Sequence, residues 1–165
     1  MTANTGRTAG KYVYFQIETS TGAMACIPVN SFGSVGLTFA EQDVSALQDA
    51  VTSILNGQGS FSTTISGPFD TKAVTAVASS GAAYALSGSH TVLSALNGAN
   101  TARSFAIGVG IQHYYTTGEP VFGAIDSVLV SQYTTDGTTY TARISTAGNR
   151  INDPAWGTSS VTASS

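Results

Sequence analysis

The chain has 165 residues, of which six are Lys or Arg and nine are Asp or Glu, for a formal net charge of −3. The charged share is 9% against about 25% in an ordinary soluble domain, and polarity is supplied instead by 23 Thr and 21 Ser. Six scattered cations exclude a phosphate-neutralising nucleic-acid surface; 36 Leu, Ile, Val and Phe residues suffice for a core; and the longest small-apolar stretch, Ala73 to Leu86, is interrupted by Thr75, Ser79, Ser80 and Gly81, short of the ~18 apolar residues a membrane-spanning helix needs.

In chain order, the first ten residues contain no hydrophobic run of the kind that directs secretion, so synthesis and folding in a cytoplasm are expected. Tyr12 to Ile17 is aromatic and β-branched, and a Ser20 to Gly22 turn separates it from a second apolar run, Met24 to Val29. The two predict a β-hairpin. Pro28 has no N–H to give to a ladder, so the second strand is expected to be an edge or to stop there. Cys26, the single cysteine, excludes an internal disulfide and reads as a small core residue. Val35, Leu37 and Phe39 alternate as in a strand.

The period then changes. Val44, Leu47, Val51, Ile54 and Leu55 lie along one side at helical spacing, with Asp43 as a cap and Asn56-Gly57 as a stop, predicting an amphipathic helix over about 43–56. Phe61, Thr63 and Ile65 alternate with Ser62 and Thr64 in a half-buried strand ending at Gly67-Pro68. Ser89 caps a short second helix, about 89–97, closed by Asn97-Gly98. From Arg103 to Tyr115, alternate positions carry Phe105, Ile107, Val109, Ile111, His113 and Tyr115, one face of a long strand; Gly108 and Gly110 on the other face suggest close packing or curvature. Val121 to Tyr133 predicts another strand, and Asp136-Gly137 a hairpin turn into Tyr140, Ala142 and Ile144. The fold expected is mainly β, a sandwich or barrel-like core with one flanking amphipathic helix and a short second one. A single domain is expected over 1–146, and 147–165 is expected to be an extension or assembly arm.

Catalytic signals are weak. A nucleophile needs a base within reach and an orienting acid, yet His90 lies at a helix start and His113 on an apolar strand face. No Asp or Glu cluster has metal-ligand spacing, so neither catalytic residues, cofactor nor metal is expected. Gly108-Val-Gly110 lacks the third glycine and the following helix of a phosphate loop. Trp156, the only tryptophan, either folds back on its own domain or anchors on a neighbouring copy.

The order Val35-Gly-Leu-Thr-Phe39, Asp43-Val-Ser-Ala46, Leu55-Asn-Gly57, Gly59-Ser-Phe-Ser-Thr-Thr-Ile65 and Gly67-Pro-Phe-Asp70, followed by Thr91-Val-Leu-Ser-Ala-Leu96, the long alternating strand, Gly118-Glu-Pro-Val-Phe122-Gly123 and a closing hairpin to Thr146, resembles the major tail (tail tube) proteins of long-tailed bacteriophages. The resemblance covers about Lys11 to Thr146 and leaves the tail with Trp156 unmatched. It implies subunits joined into rings, hexameric in that family, and stacked into a tube in the virion tail. Other virion proteins would be its partners, DNA only passing cargo, and the host cytoplasm the place of assembly. Trp156, Phe122, Tyr115 and Tyr133 are the interface candidates. Two other readings stay open: a capsid decoration protein on a related fold, and a carbohydrate-binding sandwich stacking sugars on Tyr114, Tyr115, Tyr133 or Trp156.

Overall fold

The first two apolar runs form the expected antiparallel hairpin, β1 (Val13–Glu18) with β2 (Met24–Cys26), in the computed structural model, which describes residues 13–77, 86–109 and 118–163. As the proline requires, β2 stops two residues before Pro28. The chain does not leave the sheet there. It runs on into β3 (Ser31–Phe32), which pairs with β6 (Ser62–Pro68). The remaining elements are β4 (Thr38–Asp43), β5 (Ile54–Ser60), α1 (Ser89–Leu96), β7 (Arg103–Val109), β8 (Val121–Thr135), β9 (Thr139–Thr146) and β10 (Ala155–Gly157).

The hydrogen-bonded order is β2-β1-β7-β8-β9-β6-β3, antiparallel throughout. Because β2 and β3 are consecutive pieces of one run, the two ends of this path meet, and the sheet closes into a barrel-like body. Closure leaves the body few open edges, the usual hazard of a β-protein. The fold class is mainly β with a barrel-like core.

Alternation along each strand fills the interior. Phe15 and Ile17 of β1, Ile65 of β6, Phe105 and Ile107 of β7, Phe122, Val128 and Val130 of β8, and Tyr140, Ala142 and Ile144 of β9 share one buried cluster with Phe61. At its centre three rings meet: Phe61 lies 5.5 Å from Phe105 and 4.9 Å from Phe122. Helix α1 adds Val92, Leu93 and Leu96 to the same core. On the opposite face of β7, a Cβ at Gly108 would fall 2.0 Å from Tyr14 Cζ. The ring of Tyr14 needs that space, which is the close packing the sequence suggested there; Gly110 lies outside the described residues.

Strand β8 is the longest and is bent. Asp126 and Gln132 have φ of 51° and 55°, and the pairing shifts register at both places, with β7 between Arg103 and Phe105 and with β9 between Ser131 and Thr134. Such bulges bend a strand and increase its twist. Its first half pairs with β7 on one side, its second half with β9 on the other.

Two expectations are corrected. The segment 43–56 is not a helix: residues 38–43 and 54–60 are the strands β4 and β5, joined by a loop. A helix of that length is marginal in water unless its apolar stripe packs, and α1 already supplies the helical layer of the core. Asp43 is spent on a turn, accepting from Ser45 N–H, and Asp49 accepts from Ala46 N–H; short polar side chains bonded this way compete with helix. Ser89 is not the cap of α1, which is Gly88; its hydroxyl instead donates to Pro68 O and accepts from Asp70 N–H, tying the helix start to the turn after β6. The tail beyond Thr146 lies against the domain it extends. Ala147 N–H donates to Ser127 O, Ile151 N–H to Asp126 O, and β10 pairs with Val121–Gly123, so the tail extends the ladder on β8.

Phe105 makes two of the three contacts in the central aromatic group. Phe105→Ala is therefore expected to lower the unfolding free energy by about 3–5 kcal/mol, measured by denaturant titration.

Candidate assembly surface

Strands β4 and β5 pair with each other and with no other strand of the described residues. They form a hairpin arm that begins and ends at the barrel, at Leu37 and Phe61. Every residue of β4 is exposed, as are all but one of β5. The apolar side chains that suggested a helix are the exposed ones: Val44, Leu47, Val51, Ile54 and Leu55, joined by Phe39. Leu47, in the loop, is fully exposed, and Val51 is 75% exposed. Local bonds shape the loop without covering it, since Ser45 Oγ accepts from Ser53 N–H and Asp43 and Asp49 hold the turn. At the base, the Phe39 ring lies over Gly59, where a Cβ would meet it at 2.7 Å.

Beside that base is a cleft of about 450 Å³ lined by Leu37, Phe39, Gln58, Gly59, Thr146, Arg150, Asp153 and Pro154. It lies between the arm and the turn that carries the chain from β9 towards β10. Arg150 Nε is 2.6 Å from Asp153 Oδ1, and its Nη1 donates to Ala147 O.

The three interface candidates among the described residues do not form one patch. Phe122 is fully buried in the chain's own core and is corrected to a core residue. Trp156 packs on it, ring centroids 5.3 Å apart, while remaining 50% exposed; β10 holds it there by pairing Trp156 with Phe122. It thus folds back on its own domain with one half uncovered. Tyr133, towards the far end of β8, is half-buried, with its hydroxyl 2.9 Å from His90 Nδ1 and its ring 6.1 Å from Tyr140; burial raises its pKa. These contacts take it away from any stacking platform. Tyr114, Tyr115 and His113 lie outside the described residues.

The arm was missed by sequence reasoning, though its signal was present. The helical spacing picked out five apolar residues and assigned them to a helix on the chain's own core, whereas all five are exposed on the hairpin arm.

Little chemistry surrounds these surfaces. The His90 ring bonds to a tyrosine hydroxyl. Burial pushes the Cys26 thiol up to about 12, which leaves it without thiolate character. Among the described residues no three His, Cys, Asp or Glu gather as metal ligands, and no helix is long and apolar enough to cross a membrane. No protein-family model and no curated protein sequence matches the chain.

Two outcomes are expected. Trp156→Ala removes half-buried aromatic area and should cost the single subunit about 1–3 kcal/mol, read from its thermal or denaturant unfolding. The Asp43 and Asp136 carboxylates accept backbone N–H bonds that hold their pKa below the ordinary aspartate value. Their turns are then fully held above the ordinary aspartate range and loosen only as pH falls through these lower folded values, a sequence that carboxyl NMR titration will record.

Proposed function

We propose that this chain is a non-enzymatic structural protein of a virion, the tail tube subunit of a long-tailed bacteriophage, whose copies join in rings that stack into a conduit for DNA. The observation that carries the reading is the arm. A barrel with few open edges, in which Phe15, Phe61, Phe105, Phe122 and Tyr140 are buried, carries an exposed hairpin with six large apolar side chains. Monomeric proteins seldom gather so many exposed large apolar side chains on one short element, and exposed apolar surface of this kind marks interaction sites. A two-stranded hairpin is also marginal on its own in water. Both facts favour a chain whose final state includes neighbours.

Composition supports the same reading. Exposed hydroxyl side chains bond to backbone groups, as when Thr135 Oγ1 donates to Thr139 O and Ser45 Oγ accepts from Ser53 N–H. Burying a hydroxyl that is already bonded costs far less than burying a charge. A surface of this kind suits contacts between copies. The sequence motifs resemble those of tail tube proteins outside the segment 43–56, where a hairpin stands in place of the helix the resemblance implies, and this resemblance narrows the assembly from any oligomer to a tube.

The test is direct. Negative-stain microscopy of the purified chain is expected to show rings or tubes, and an antibody to it is expected to label tails of intact particles. Labelling of heads would replace the tail tube with a capsid decoration role, and a monomer that binds glycans would overturn the virion reading.

A further inference from the structure

The sequence holds three pairs in which an amide or acid side chain precedes glycine: Asn56-Gly57, Asn97-Gly98 and Asp136-Gly137. In such a pair the glycine nitrogen, with no Cβ beside it, can approach the carbonyl carbon of the preceding side chain closely. Two of the three are tied down. Asn97 Oδ1 accepts from Tyr133 N–H, and Gly98 N–H donates to Val130 O. Asp136 Oδ1 accepts from Thr138 and Thr139 N–H, and Gly137 N–H donates to Thr135 Oγ1. In both pairs the attacking nitrogen and the side chain it would attack are each held by another partner.

Asn56 differs. It is exposed on β5, and its side chain makes no hydrogen bond among the described residues. Across the arm Glu41 pairs with Asn56 and Phe39 with Gly59, so Gly57 and Gln58 together face Ala40 alone. That is a bulge, at which a ladder is locally disrupted. It lies in a hairpin that pairs with no other strand of the described residues, and elements with few buried contacts are the ones that open locally.

From this contrast we infer that Asn56 is a site of self-modification, where the chain converts its own amide to an acid through attack by the Gly57 nitrogen. When the bulge opens, that nitrogen loses its proton to solvent base and bonds to Asn56 Cγ, and the Cγ–Nδ2 bond breaks to release ammonia. Water then opens the cyclic imide at either carbonyl, leaving aspartate or, with the backbone rerouted through the side chain, isoaspartate. The net change is a water consumed and an ammonia released, with no oxidant or reductant. Glu41 stands directly across from the new carboxylate, and like charges so placed destabilise a strand pair. Isoaspartate also lengthens β5 by a methylene at the bulge. Either product loosens β4 from β5, so the arm has a limited chemical lifetime while the two tied pairs stay as they are. This concerns the single chain and holds whether or not its copies build a tube.

The test keeps the full-length chain in mildly alkaline buffer at body temperature for some weeks, at a dilution where sedimentation velocity shows single subunits. Peptides carrying each asparagine are then weighed, and isoaspartate is detected by enzymatic methyl transfer. Asn56 is expected to convert at least about tenfold faster than Asn97 in the folded chain, faster still as pH rises, and at a similar rate to Asn97 in denaturant. Equal rates in the folded chain, or Asn97 converting first, would overturn the inference. Hydrogen exchange reads the consequence: the β4 and β5 amides of the aged chain should exchange faster than those of the fresh one. Asn56→Asp should reproduce the part due to charge, and Asn56→Gln should keep the fresh pattern through the same incubation. Conversion at Asn56 with unchanged exchange in the arm would refute the loosening.

Discussion

The ladder along β8 is the constraint on which the remainder of the structure depends. Its first half is shared by β7 and β10, its second by β9, and the two left-handed residues at Asp126 and Gln132 let one strand serve both. A straight strand of 15 residues would carry a flat sheet past the edge of the core. Bent, it brings Phe122, Val128 and Val130 into a single interior. The tail's pairing along this strand also explains why Trp156 sits over Phe122, and why a cleft opens where the chain leaves β9 and turns towards β10.

The arm follows from the same closure. Once β2 and β3 have joined the two ends of the sheet and α1 has been packed, the core has taken up the large apolar residues of the barrel strands. The chain between Leu37 and Phe61 still contains five aliphatic residues in helical array, but no matching core surface is left to receive them. It forms the structure that short-range bonds allow, a hairpin with a turn held by Asp43 and Asp49.

Much of the barrel was legible in residue patterns. Period-two runs marked β1, β6, β7, β8 and β9, Asp136-Gly137 marked a turn in which Asp136 Oδ1 accepts from Thr138 and Thr139 N–H, and Val92, Leu93 and Leu96 marked the short helix. The alternation at Val35 to Phe39 was real in part: Val35 and Leu37 pack on the core, and the strand itself begins at Thr38. The helix over 43–56 failed because periodicity reports which residues want cover and says nothing of who supplies it. The pairing of β10 was illegible for another reason: a three-residue strand has no period, and its partner lies over thirty residues away along a bulged strand. Among the candidate residues, an aromatic side chain in sequence looks alike whether it fills the core, as Phe122 does, or rests half outside it, as Trp156 does.

The arm carries three carboxylates, Glu41, Asp43 and Asp49, and no Lys or Arg. The body's fold rests on packing, backbone ladders and hydroxyl bonds, with Glu18 and Arg103 its one largely buried ion pair among the described residues. Dissolved salt screens exposed charges and leaves buried contacts nearly untouched, so it acts on the arm's carboxylates and on exposed body charges such as Asp136 and Asp153, and hardly at all on the packed interior that holds the fold.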